Sequence, residues 1–252
     1  MSIQKVMAFG LAILVAMAPA AASTWQDKLE QAMGGPLRTE TEKARDENRR
    51  PVETLEFMRF NDDLRVLELF PGSGWYTKLL APVLANKGQL YLALRTERIM
   101  GLIESTPEFA HVEILDVNPD MPSAHRRGIF DLADFSFWLE GLDLVLTFRN
   151  AHNLTPAARA SLNTAVFEAL RPGGLYGVVD HTRRHMEPDG PGNRRRADPV
   201  RIIHEIQAAG FQLVDWSDLH YRATDRLALE VGNPAVSGRT DRFTLLFQKP
   251  AP

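Results

Sequence analysis

Three short segments carry polar side chains directly behind apolar runs. In "DLVLTFRNAHN" (143–153) the run ends in Arg149, Asn150, His152 and Asn153. In "YGVVDHTRRH" (176–185) it ends in Asp180 and His181. A core does not call for so many polar groups together, because each buried one needs a partner. An imidazole titrates near neutrality, and an adjacent carboxylate can orient it as a base. His152 is the first candidate base and His181 the second, with Asp180 as orienter. Arg149 has the planar fork that suits a carboxylate or phosphate. His181 and His185 bring no clear third ligand, so no metal is expected. "GPGNRRRADP" (190–199) adds Arg194, Arg195 and Arg196, either as a solvated loop or as a lid that attracts an anion.

The third segment, "ELFPGSGWYT" (68–77), reads as a strand end, a bend and a helix start. Gly72 and Gly74 allow backbone conformations and close approaches that a Cβ would block. A helix opening near Trp75 aims free N–H groups into the bend. Glu68 can accept hydrogen bonds there. A dinucleotide fingerprint needs a third Gly, and position 77 is Thr, which disfavours a nicotinamide-linked oxidoreductase.

These segments need a scaffold, and the chain supplies strand–helix alternation. Strands are predicted at 65–69, 89–94, 112–115, 142–148, 175–179, 212–215 and 242–248, and helices at 75–84, 97–105, 156–170 and 199–209. Residues 118–138 read as a loop or short helix. This order predicts an α/β fold: a mostly parallel sheet with helices on both faces. The last two strands, with no helix between them, predict a closing antiparallel hairpin. In such sheets ligands sit beyond the strands' carboxyl ends, where all three segments fall. Ahead of the sheet, residues 23–60 read as a charged helical lead-in. Leu29, Ala32 and Met33 form its first stripe, and two further helices break before Pro51. Leu55 and Met58 are expected on the core.

With 252 residues, 44% of them hydrophobic, the chain can bury a sizeable core. Its net charge of −3 offers no general basic field, so no nucleic-acid partner is expected. It has no cysteine, which excludes disulfides, thiolate metal sites and Cys nucleophiles. "MSIQKVMAFGLAILVAMAPAAAS" has a positive start, a short apolar centre and an Ala20-x-Ala22 pattern. It reads as a signal peptide (1–22) cleaved after Ala22, giving a periplasmic or secreted protein with no stable membrane span.

"VLELFPGSGWYTKLLAPVLANKGQLYLA" resembles motif I and the second strand of class I S-adenosylmethionine-dependent methyltransferases. "LRPGGLYGVVDH" resembles their fifth-strand segment. Over about residues 40–249 the chain resembles an exported bacterial group of methyltransferase-like proteins with G-x-G-W-Y-T, "LTFRN-x-HN" and "DRF-x-L-x-F" segments. The resemblance implies a Rossmann-like seven-stranded domain over 61–252 with S-adenosylmethionine as cofactor. Glu68, Pro71, Gly72, Ser73 and Gly74 would line its methionine side, followed by Trp75 and Tyr76. Asp116 would approach the adenine, and Asn150 would lie near the methyl-transfer centre. Two positions depart from the family pattern. Phe70 stands where a Gly is usual, and the second strand ends in Arg95, with Glu97 following, where an acid usually meets the ribose. The implied reaction is methyl transfer to a small-molecule acceptor. The alternative is a non-catalytic protein holding a small ligand in the same cleft.

Overall fold

The computed structural model describes residues 24–124 and 127–251. The expected signal segment, 1–22, lies outside the described residues.

Seven strands form one sheet in the order β3-β2-β1-β4-β5-β7-β6. They are β1 Arg65–Leu69, β2 Gln89–Ala93, β3 Glu113–Ile114, β4 Leu142–Phe148, β5 Leu170–His181, β6 Gln212–Ser217 and β7 Arg242–Gln248. The first five pair in parallel, and β7 runs antiparallel between β5 and β6. The expected sheet and closing hairpin are therefore present. Because β4 lies beside β1, the strand order reverses there. That reversal opens a crevice beyond the carboxyl ends of β1 and β4.

Side chains alternate faces along each strand. Leu67, Leu69, Val145 and Val178 join one core layer. Helices α7 (Pro156–Ala169) and α8 (Pro199–Ala208) cover it with Leu162, Val166, Ile202 and Ile206. Val66, Leu90, Leu92, Leu144 and Leu146 join the other layer. There α1 (Trp25–Gly34), α4 (Pro51–Phe57) and α5 (Thr77–Leu84) close the face with Leu29, Leu55 and Leu79. Met58 is buried in the same layer, as the sequence predicts. The lead-in and the sheet thus share one core.

Three local expectations change. The stretch before Pro51 folds as two short helices, α2 (Glu40–Lys43) and α3 (Asp46–Arg49), ahead of α4, so three helices replace the expected two. The reason is visible at Glu42, whose carbonyl accepts from Arg38 Nη2 (3.2 Å) and from Trp75 Nε1 (3.0 Å). The expected helix at 97–105 splits into a 3-10 turn, Thr96–Arg98, and α6 (Met100–Ser105), after Leu94 and Arg95 both take left-handed φ values of 66° and 56°. Residues 118–138 form no helix among the described residues; isolated bridges at Phe130 to Ser123 and Leu154 hold them.

Candidate active site

The crevice holds two adjoining cavities of about 450 Å³ and about 370 Å³, within the range of ligand pockets. Phe70, Gly72, Arg98, Asn150 and Asn153 line both, so they form the waist of one groove. The larger part also takes Glu68, Pro71, Ser73, Trp75, Tyr76, Arg149, His152 and His181. Most of the residues expected at the site therefore converge.

The bend after β1 forms one wall. Gly72 (φ 61°) and Gly74 (φ 82°) are both left-handed, but they face different ways. A Cβ on Gly72 would meet nothing within 4 Å, and Gly72 lines the groove. A Cβ on Gly74 would lie 2.5 Å from Cδ1 of Ile99, which is fully buried. Gly74 is thus a packing glycine rather than a wall of the groove. Gly74→Val is expected to lose about 2–4 kcal/mol of stability from strain and overpacking. Gly72→Val should melt within about 2 kcal/mol of wild type while its ligand affinity collapses. Thermal melts beside calorimetry check the pair, and similar melts for both would remove the distinction.

Phe70 alters an expectation. It adopts φ 53° although it is not Gly, so the backbone takes the left-handed path and the side chain does not prevent it. The cost is about 1–2 kcal/mol, offset by packing against the β1–β4 core layer. The ring then forms part of the groove wall.

Glu68 is buried below the bend and accepts from Thr77 Oγ1 at 2.6 Å. Burial pushes its carboxyl up to about 7, while the Thr77 hydroxyl and Arg49 act the other way. A carboxyl raised in the folded state stabilises the protonated form. That contribution is full below the unfolded value, near 4.5, and is lost as pH rises through about 7. Glu68→Gln should therefore gain about 2 kcal/mol relative to wild type between pH 5 and pH 8. Equal melting differences at the two pH values would contradict this.

The opposite wall comes from β4 and β5. Past Phe148 the chain turns through Arg149 (φ 65°) into a 3-10 turn, Ala151–Asn153. Asp180, fully buried at the end of β5, accepts from both the backbone N–H of His152 (3.0 Å) and its ring Nδ1 (2.6 Å). With Nδ1 donating, Nε2 carries a free lone pair. It makes no hydrogen bond among the described residues, and His152 lines the groove. This is the geometry of an oriented general base. The expected Asp180–His181 unit is replaced by Asp180–His152. His181 meets Asp180 only through its backbone N–H, which donates to the carboxylate (2.7 Å), and its ring shares a hydrogen bond with Thr240 Oγ1 (2.7 Å). Burial, and then the neighbouring His152, hold the His181 imidazole well below its ordinary value, so it is neutral. The two rings lie 5.6 Å apart.

Asn150 Nδ2 donates to the Phe148 carbonyl (3.1 Å), which turns its amide at the waist of the groove. Tyr76 stacks on Phe148 (3.6 Å), bracing the bend against the end of β4. In the smaller cavity Arg95 lies over the Phe130 ring (4.8 Å), with Glu97 and Met121 nearby. Asp116 lines neither cavity; it is exposed and accepts from Asn118 Nδ2 (3.1 Å). Of the arginine triple, Arg196 is buried in a pair with Asp225, and Arg195, bonded to Glu230, reaches the groove edge. His185 bonds Asp198 (2.9 Å) rather than joining His181. Sequence reasoning did not place Arg45 and Arg49 of the lead-in at the site, yet both line the groove. The one available signal was their "RDENRRP" run, which is dense in charge just ahead of a core helix.

No family model matches the chain, and no curated protein matches it. Solved structures do. A SAM-dependent methyltransferase from Aquifex aeolicus is 13% identical with a TM-score of 0.56, over 79% of this chain and 89% of that one. The [4+2]-cyclase SpnF is 15% identical with a TM-score of 0.57, over 93% and 98%. The CcbJ methyltransferase from Streptomyces caelestis is 13% identical with a TM-score of 0.53, over 81% and 90%. At these identities the likeness is one of architecture, and with the strand order above it establishes that this chain has the Rossmann-like seven-stranded fold of the class I S-adenosylmethionine-dependent methyltransferases.

Proposed function

We propose that the protein transfers a methyl group from S-adenosylmethionine to a small-molecule acceptor, and that it works in the periplasm after export. One observation carries the enzymatic reading. A groove at the strand-order reversal has an open glycine bend on one wall and an Asp180-oriented His152 on the other. The residues present fit the cofactor. Gly72 leaves space where any Cβ would intrude. Phe130, Met121 and Leu154 give the smaller cavity an apolar lining for a flat base, and Glu97 offers a carboxylate for ribose hydroxyls. Glu68 and Asn150 offer acceptors for an ammonium group in the larger part.

When bound, S-adenosylmethionine supplies a methyl group made electrophilic by a positive sulfur. The chain's task is then alignment and proton management. The bend and the end of β4 hold the two reactants across the waist of the groove. His152 takes the acceptor's proton on Nε2, and buried Asp180 stabilises the imidazolium that forms. Neutral His181 adds no second charge beside it.

Arg95 favours a second reading. It lies two residues past β2, where the family pattern has an acid, and a cation cannot accept ribose O–H bonds. In that reading the groove holds a small ligand without turnover. The name of SpnF also shows that this fold is not confined to one reaction. Calorimetric titration of the mature chain with S-adenosylmethionine and S-adenosylhomocysteine separates the two. Binding of both, with conversion of the first to the second in a periplasmic small-molecule extract, supports transfer; no binding of either overturns it.

Export rests on Lys5, the apolar centre and the Ala20-x-Ala22 pattern. Protein isolated from its native host is expected to begin at Ser23, within a few residues. Edman sequencing that reads Met1 on a soluble cytoplasmic protein would refute export and leave the methyl-transfer reading standing.

A further inference from the structure

Four arginines are buried among the described residues: Arg38, Arg49, Arg196 and Arg242. Three of them have guanidinium hydrogen bonds, although Nε of Arg38 and of Arg242 is buried without a partner. Arg38 bonds Asp46, Arg196 bonds Asp225, and Arg242 donates to the carbonyls of Asn48 (2.8 Å) and Gly238 (3.2 Å). Arg49 does not. It is 4% exposed, its Nη1 is buried with no hydrogen-bond partner, and its contact is the face of Trp75 at 4.2 Å. A buried cation without a partner is costly. Arg149, on the opposite wall, likewise makes no side-chain hydrogen bond or ion pair among the described residues. Both line the larger part of the groove.

The surroundings hold Arg49 in place. Its carbonyl accepts from Thr54 Oγ1 (2.9 Å) and from His220 Nε2 (3.0 Å), while His220 Nδ1 accepts from Thr244 Oγ1 (2.7 Å). That leaves His220 a neutral tautomer locking the lead-in to β7, and burial keeps it so, pulling it down to about 4. On the other wall Arg149 is fixed in a left-handed conformation, with its N–H on the Val179 carbonyl (2.7 Å). The backbones of two cations are thus fixed, and neither guanidinium has a hydrogen-bond partner among the described residues, although the charge of buried Asp180 acts on Arg149. Burial, and then the charge of Arg149, pull the Arg49 guanidinium down to about 8. Among the residues lining this part of the groove, Glu68 is the single carboxylate against five arginines.

We propose that Arg49 and Arg149 form a clamp for an oxyanion, a carboxylate or phosphate, carried by the methyl acceptor. The proposal rests on the methyl-transfer reading and names its substrate class. Two guanidinium forks can bind such a group in a bidentate manner from both sides. Binding would supply the missing partners for both cations at once. The same clamp would anchor the acceptor in the part of the groove that His152 lines. The cofactor's own carboxylate is the competing source of this chemistry. Its sulfonium and ammonium leave it a net cation, so the excess positive charge here is matched better by an anionic acceptor.

The test titrates mature wild type, Arg49→Met and Arg149→Met with inorganic phosphate and malonate, each with and without saturating S-adenosylhomocysteine. S-adenosylhomocysteine and decarboxylated S-adenosylmethionine are titrated separately. The clamp predicts that phosphate or malonate binds wild type with S-adenosylhomocysteine present. Each variant should weaken it tenfold or more and change S-adenosylhomocysteine affinity less than threefold. Folding is monitored by melting. An arginine kept for a ligand predicts that Arg49→Met melts no lower than wild type without anion and gains less from phosphate. Variants that lose S-adenosylhomocysteine but bind the decarboxylated cofactor as wild type does would place the cofactor's carboxylate in the clamp and overturn the proposal. Failure of both anions to bind wild type would overturn it too. If wild type binds neither cofactor form, the methyl-transfer reading fails, whatever the anions do.

Discussion

His152→Ala is expected to lower the methyl-transfer rate about 100–10,000-fold, the usual loss on removing a general base. The melting temperature should fall as well, because the side chain is only 4% exposed and its loss takes the ring partner from buried Asp180, so the rate is compared per folded molecule. Asp180→Asn tests the same unit from behind. An amide can donate to Nδ1, which stabilises the tautomer whose proton sits on Nε2 and makes His152 useless as a base. It also keeps an acceptor for the His152 N–H, so the turn should survive. The expected signature is a large fall in kcat with cofactor affinity within a few-fold of wild type. His181→Ala should cost far less, since Asp180 orients the other ring. If His181→Ala is the more damaging variant, the roles assigned to the two histidines are reversed.

Asp225→Ala is expected to be the most destabilising single change of those considered. Asp225 and Arg196 have side chains 1% and 0% exposed and bond at 3.0 Å. Asp225 also accepts from the backbone N–H groups of Leu227 (3.0 Å) and Asp241 (2.8 Å). Arg196 in turn donates to the carbonyls of Thr182 (3.1 Å) and Leu229 (2.9 Å). The pair therefore ties the 218–241 segment to the start of β7 and to the chain leaving β5. Removing the carboxylate strands a buried guanidinium, at a cost of about 3–5 kcal/mol. For a domain of this size that lowers the melting temperature by on the order of 10 °C. Arg196→Met with Asp225→Leu removes both charges and should recover much of the loss, because two apolar groups leave nothing unpaired. A double variant no more stable than Asp225→Ala would show that the backbone bonds of Asp225, rather than its charge, hold the segment.

The sheet was legible because its signals are local. Strands 65–69, 142–148 and 242–248 match the structure residue for residue, since each is an apolar run with polar or Gly/Pro boundaries. The bend at 70–74 and the polar residues after β4 and β5 were likewise readable, because strand direction alone puts them at one edge of a parallel sheet. What the sequence could not determine was which side chains meet. Asp180 and His181 are neighbours in the chain, but successive strand residues point to opposite faces, so they cannot form the ring-to-carboxylate bond that their adjacency invites. Asp180 finds His152 instead, 28 residues away, only because β4 and β5 pair in parallel. Gly72 and Gly74 look alike in sequence, and only the position of Ile99 decides that the second one packs. Asp116 follows the third strand as expected, yet β3 is two residues long at the sheet edge, and the side chain faces solvent. Arg49 sits in a charged run with nothing to distinguish it from Arg45 or Arg50. Its proposed role arises because nearby Thr54 and two residues distant in the chain, His220 and Trp75, fix its backbone and ring contact beside the groove. Local pattern specifies elements, but an unpartnered charge is a property of the space around it, and that space exists only once the sheet and lead-in have packed.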